Sequence, residues 1–279
     1  MAARAFLVLG LILAHAVMAM EITQVMPNHI MGRADYRPGA AGKPAILILH
    51  GFLQTQDFPT VHNISEGLNQ LGYTTLAPTL TLGIPYREKS MACDSIHTHS
   101  LRDDEAEIQT WLKWLEAKKP GPIFLVGHST GSMELLAYLD SHPDHRVKKL
   151  IAASIIVTSL EGGNRERTKL IRELKHRNSN QQDKLIHHQF SFCDSYTATG
   201  DSLLSYLEWS PARVLDTAHR IPLPVTFIMG SDDHRIPRDW VEQLRKTGKK
   251  VRLIEGAGHF LDGIHEFELI DAIEDEIHN

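Results

Sequence analysis

Along the chain, continuous apolar runs alternate with stretches whose apolar residues fall three and four apart. Residues 44–49 (Pro-Ala-Ile-Leu-Ile-Leu) form the first run. Turn residues flank it, which predicts a strand buried on both faces of a parallel sheet. From Pro59 onward, Val61, Ile64, Leu68 and Leu71 keep helical spacing until Gly72 stops the pattern. A strand is expected over 74–80, followed by a long irregular stretch from 81 to 99. Ser100 and Asp103 have the spacing of a capping box, and the helix they open shows Ile108, Trp111, Leu112 and Leu115 on one face. Pro120-Gly121-Pro122 ends that helix.

The run at 122–126 leads through Gly127-His128-Ser129-Thr130-Gly131 into a helical pattern over 132–139, and residues 147–157 predict another buried strand. The alternation then stops. Residues 158–209 contain two polar, helix-like pieces, at 164–176 and 181–190, with Leu170, Ile171, Leu174, Leu185, Ile186 and Phe190 as their apolar positions. It resumes at Ser210-Pro211, a cap with proline at the first helical position. Strands are predicted at 224–230 and 251–254, and a helix at 237–248 with Trp240, Val241 and Leu244 inward. Phe267, Ile270, Ile273 and Ile277 mark a closing amphipathic helix. Upstream, Ile22 with Val25 and the segment 30–38 are ambiguous edge strands.

This order predicts an α/β fold: a mostly parallel central sheet with helices on both faces and right-handed crossovers. In such sheets sites gather at the carboxyl ends of the strands, so the turns after Leu49, Leu80 and Val126 fall on one edge. The 158–209 insertion leaves from such an end, which predicts a helical lid over the site.

Composition narrows the setting. The 279 residues are 42% hydrophobic and 23% charged with a net charge of −5, ordinary for one globular domain with an insertion. Lysine and arginine form no stripe interleaved with aromatics, which argues against nucleic acid and against an anionic membrane surface. Arg4, the apolar run 5–14 and the small residues around Ala16 and Ala19 read as a signal peptide over 1–19. A retained anchor needs about 20 apolar residues, more than this run supplies. The expectation is an exported protein, periplasmic or secreted, with a single domain over 20–279 and no membrane span after cleavage. In that setting the two cysteines, Cys93 and Cys193, are expected to pair and to tie the lid to the core.

The chemistry centres on Ser129. A buried strand turning sharply into a helix through Gly-x-Ser-x-Gly holds the serine at the tip of the turn. The helix start and the Thr130 amide then face any oxyanion formed there. A serine hydroxyl needs a base, and His259 follows a strand on a Gly-x-Gly-His loop that lets its ring approach. His128 is nearer in sequence, but inside the elbow its ring points away. An orienting acid is expected from the preceding strand end, where 230–237 supplies Asp232 and Asp233. Cys93, His97, His99 and the pair His187-His188 match no zinc spacing, and no metal or organic cofactor is expected. The sequon Asn63-Ile64-Ser65 falls inside a predicted helix and carries little weight.

With these motifs in this order, the chain from Pro44 onward, apart from the insertion, resembles the α/β-hydrolase superfamily. The resemblance implies that the aspartate of a strand-ending Gly-x-x-Asp is the acid, here Asp233. It also implies that the residue after the His50-Gly51 turn gives a second oxyanion amide, here Phe52 beside Thr130. A serine at the elbow argues against the aspartate-based dehalogenase and epoxide-hydrolase branches. The implied activity is hydrolysis of a carboxylic ester of a small-molecule acyl substrate. Amide, peptide and thioester cleavage and acyl transfer use the same residues, and a binding protein on the same fold is the alternative of a different class. The polar insertion argues against a lipase that opens on an oil surface.

Overall fold

A computed structural model describes residues 19–177 and 184–279. All but the last residue of the predicted leader, and residues 181–183 of the second predicted lid helix, lie outside them. In chain order the elements are β1 (Met20–Val25), β2 (Met31–Arg37), β3 (Ala45–Leu49), α1 (Pro59–Gln70), β4 (Thr74–Thr79) and β5 (Ile96–His97). Next come α2 (Leu101–Lys118), β6 (Ile123–His128), α3 (Thr130–Ser141), β7 (Val147–Ala153) and α4 (Gly163–Lys175). Then follow β8 (Leu185–Phe190), β9 (Cys193–Thr199), α5 (Gly200–Leu207), α6 (Pro211–Arg220) and β10 (Val225–Gly230). The chain closes with α7 (Trp240–Lys246), β11 (Lys250–Ile254) and α8 (Glu266–His278).

Among the described residues the main sheet has eight strands in the order β1-β2-β4-β3-β6-β7-β10-β11. From β4 to β11 every pairing is parallel, and β2 runs antiparallel to both of its neighbours, β4 and the edge strand β1. The unbroken apolar runs serve two cores at once. Leu47 and Leu49 point into one cluster with α2, α3, α6 and α7, while Ile46 and Ile48 point into the other with α1 and α8. Period-two alternation thus loads both faces. The Ser100–Asp103 capping box forms, with Ser100 Oγ accepting from the Asp103 amide at 3.3 Å and Asp103 accepting from the Ser100 amide at 2.8 Å.

Several elements differ from the sequence expectation. Residues 185–190 are not helical: β8 pairs antiparallel with β9, and β5 pairs with the other side of β9. Among the described residues the inserted segment is therefore mixed, two helices around a hairpin, where a helical lid was expected. Three apolar residues in so short a segment do not separate a helix from a strand, and a partner strand decides. The strand expected over 147–157 ends at Ala153, and the helix expected from Pro237 begins at Trp240. In α8 the buried stripe is Leu269, Ala272, Ile273 and Glu276, whereas Phe267 is 75% exposed. Cys93 and Cys193 are bonded, with Cα atoms 5.4 Å apart, joining the 81–99 stretch to the inserted hairpin.

Candidate active site

Ser129 lies between the end of β6 and the start of α3 with φ 58° and ψ −123°, a backbone region that non-glycine residues rarely occupy. Its amide donates to Ala153 O at 2.9 Å, and its carbonyl accepts from the Ser132 amide at 3.1 Å. The crossing is tight: a side chain at Gly131 would meet His50 O at 2.3 Å, so only glycine lets α3 pass the end of β3. The strained turn leaves the serine hydroxyl facing the carboxyl edge of the sheet.

Two further loops converge on that hydroxyl. His259 Nε2 lies 2.9 Å from Ser129 Oγ, and His259 Nδ1 lies 2.8 Å from Asp233 Oδ2. A carboxylate only accepts, so Nδ1 carries the hydrogen toward Asp233 and Nε2 accepts from the serine hydroxyl. The other carboxylate oxygen, Oδ1, accepts from the Arg235 amide at 2.9 Å. Asp233, His259 and Ser129 are all buried, whereas Asp232 is exposed. The loop after β11 crosses directly over the end of β10, where a side chain at Gly230 would meet Ala257 O at 2.2 Å. That close crossing brings the histidine beside the aspartate.

Two buried histidines support these loops. His128 Nε2 lies 3.2 Å from His259 O and donates to it, which ties the elbow to the histidine loop. Burial and the neighbouring His259 push His128 down to about 3, so it stays neutral. His50 Nδ1 donates to Gly51 O at 2.9 Å and its Nε2 accepts from the Leu80 amide at 3.0 Å. Burial likewise lowers His50 to about 3. Neither role was visible in the sequence, where each histidine is one of 17 and only the fold shows what it touches.

The turn that follows His50 passes against Ser129, since a side chain at Gly51 would meet Ser129 Cβ at 3.1 Å. Thr130 is the first residue of α3, so its amide is among those that helix geometry leaves without an intrahelical acceptor. The Phe52 ring is buried against Phe190, Phe192 and Tyr196, which seats the turn on the inserted hairpin. A cavity of about 230 Å3 opens over Ser129 and His259, walled by Phe52, Met91, Phe192 and Phe260 with Arg235 at its side. The Arg235 guanidinium lies 4.8 Å from the centre of the Phe260 ring. Beyond it, a mainly apolar cavity of about 260 Å3 lies between Val157, Leu160, Ile236 and Trp240.

The chain matches the α/β-hydrolase fold over residues 44–184 and belongs to that family. Among solved structures it is similar to Est1E from Butyrivibrio proteoclasticus, at 18% identity and a TM-score of 0.63, covering 93% of this chain and 97% of that one. It is also similar to the α/β hydrolase GrgF from Penicillium sp. sh18, at 17% identity and a TM-score of 0.70 over 94% and 98% of the two chains. A bromoperoxidase from Bacillus anthracis is similar at 14% identity and a TM-score of 0.61, over 93% and 100%. At these identities the likeness is one of fold. No curated protein matches the sequence.

Proposed function

We propose that this protein is an exported serine hydrolase that cleaves a carboxylic ester of a small molecule. The observation that carries the reading is the relay Ser129 Oγ, His259, Asp233, with hydrogen-bond distances of 2.9 and 2.8 Å. His259 takes the hydroxyl proton as Ser129 attacks the ester carbonyl, and Asp233 stabilises the imidazolium that results. The amides of Phe52 and Thr130 receive the developing oxyanion. His259 then protonates the leaving alcohol, and water repeats the sequence on the acyl-serine. A cavity of about 230 Å3 with aromatic walls favours a short or aromatic acyl group. Est1E itself has been captured with ferulic acid.

Export rests on the leader pattern over 1–19 and on the Cys93–Cys193 bond, a kind that persists in oxidising compartments. Among the described residues no helix is long and apolar enough to cross a membrane. The mature protein is then a single domain over 20–279, with residues 158–209 covering the site as a lid. The test is fluorophosphonate labelling of the mature protein, followed by turnover of matched esters, anilides and thioesters. Ser129 is expected to carry the label and the esters to turn over fastest. A folded protein that takes no label would move the reading to a non-catalytic binding protein.

A further inference from the structure

A buried arginine outside the relay grips the turn that carries the Phe52 amide. Arg87, in the stretch between β4 and β5, is only 4% exposed. Its Nε donates to Leu80 O at 2.8 Å, and Nη1 donates to Leu53 O at 3.2 Å and Lys89 O at 3.1 Å. Nη2 donates to Gln54 O at 2.6 Å and to His50 Nε2 at 3.3 Å. A guanidinium has five N–H groups in a fixed planar fork, and all five are used.

Three of these contacts fall on residues 50–54, one at the first residue and two at the last two. The turn between them is under strain, because Leu53 holds φ 59° without being glycine. Such a conformation persists where the surroundings hold it. The Leu53 carbonyl also accepts from the Met91 amide at 2.9 Å, and the Gln54 amide closes the turn onto Gly51 O at 3.1 Å. Asp104 and Glu107 on α2 and Glu134 on α3 act on Arg87 from the core side. Burial lowers Arg87 to about 10 while those three carboxyls pull it upward, so it is cationic at neutral pH.

We propose that Arg87 is the positioning residue of the oxyanion hole, holding the strained 50–54 turn so that the Phe52 amide faces the oxygen that becomes negative when Ser129 attacks. This rests on the acyl-transfer reading above. The competing role is plain charge balance for the ionised fraction of Asp104, Glu107 and Glu134, and lysine separates the two. Arg87→Lys keeps the positive charge but replaces the planar fork with three donors on one atom. It therefore preserves charge balance and loses the grip on the turn.

The experiment compares wild type, Arg87→Lys and Arg87→Ala with one short-chain ester, and titrates each with a trifluoromethyl ketone, whose serine adduct carries an oxyanion. Arg87→Lys is expected to fold, to lose at least about tenfold in kcat and to hold KM within about threefold. Affinity for the ketone should fall by about the same factor as kcat/KM. Arg87→Ala should lose more, with part of kcat restored by guanidinium at non-denaturing concentration. A folded Arg87→Lys with wild-type kcat and ketone affinity would overturn the inference, leaving charge balance as the role. If neither variant folds, the inference also fails, since the side chain is then needed for folding rather than placement. Wild-type protein unlabelled at Ser129 would overturn both this inference and the reading beneath it, whereas a labelled wild type with unchanged variants overturns this one alone.

Discussion

At the scale of single residues, the adjacent carboxylates Asp232 and Asp233 make the most discriminating pair. Asp233 is buried, with one oxygen on the His259 ring and the other on the Arg235 amide, while Asp232 is exposed. Asn at 233 presents a donor where the ring needs an acceptor, which favours the wrong tautomer. Asp233→Asn should therefore lower kcat by on the order of 10³–10⁴, and Asp232→Asn should stay within about twofold. Steady-state kinetics on the two variants decide it, and the opposite ranking would show that the other carboxylate orients the ring. The elbow was legible because glycine, serine and the flanking periods all report one strand-turn-helix junction. The choice between the two aspartates came from family resemblance, since spacing alone allows either. Arg87 was not legible at all: it sits in a stretch with no period and no motif, and its importance lies in carbonyls contributed by residues more than 30 positions away.

At the scale of elements, the inserted segment is held to the rest of the molecule by packing and by one covalent bond. Leu170, Leu174, Phe190, Tyr196 and Leu203 join the cluster that contains α2 and α3. The Cys93–Cys193 bond spans a sequence separation of 100, so it closes a long loop in the unfolded chain. Cys93→Ser with Cys193→Ser should lower the unfolding free energy by about 2–4 kcal/mol, with proteolysis beginning within the insertion. Urea melts of the oxidised protein and the double variant measure this. Equal midpoints would show that packing alone holds the insertion. The parallel strands were legible because burial on both faces writes an unbroken apolar run. The hairpin β8–β9 was not, because its pairing lies in tertiary context: Leu185 and His187 face solvent while Phe190 is buried. In α8 the predicted stripe holds at Ile273, which is buried, and at Ile270 and Ile277, which pack against the same cluster, while Phe267, at the helix start beside a short 3₁₀ turn, faces solvent.

At the scale of the whole molecule, two opposed sets of buried titratable groups set how stability depends on pH. Burial pushes His50, His99 and His128 down to about 3 and His97 down to about 4. Burial raises Glu107 to about 7 and Glu134 to about 8, and it holds Asp104 well above its ordinary value. The histidines bind fewer protons folded than unfolded, so their contribution is complete above pH about 6.5 and is lost as pH falls through about 4 and 3. The carboxyls bind more protons folded than unfolded, so their contribution is complete below pH about 4 and is lost as pH rises through about 7 and 8. Between about 4.5 and 6.5 the slopes oppose each other, but four histidines outweigh three carboxyls, so stability still rises with pH across most of this range. The melting temperature should therefore be highest near pH about 6–6.5, where the unfolded histidines lose their protons, and fall on both sides of it. The alkaline arm identifies its cause. Glu134→Gln has the shape of the protonated side chain, so it should match wild type at pH about 5 and melt higher at pH about 9. Calorimetry across this range tests the account, and an identical alkaline slope in wild type and Glu134→Gln would remove the buried carboxyls as its source.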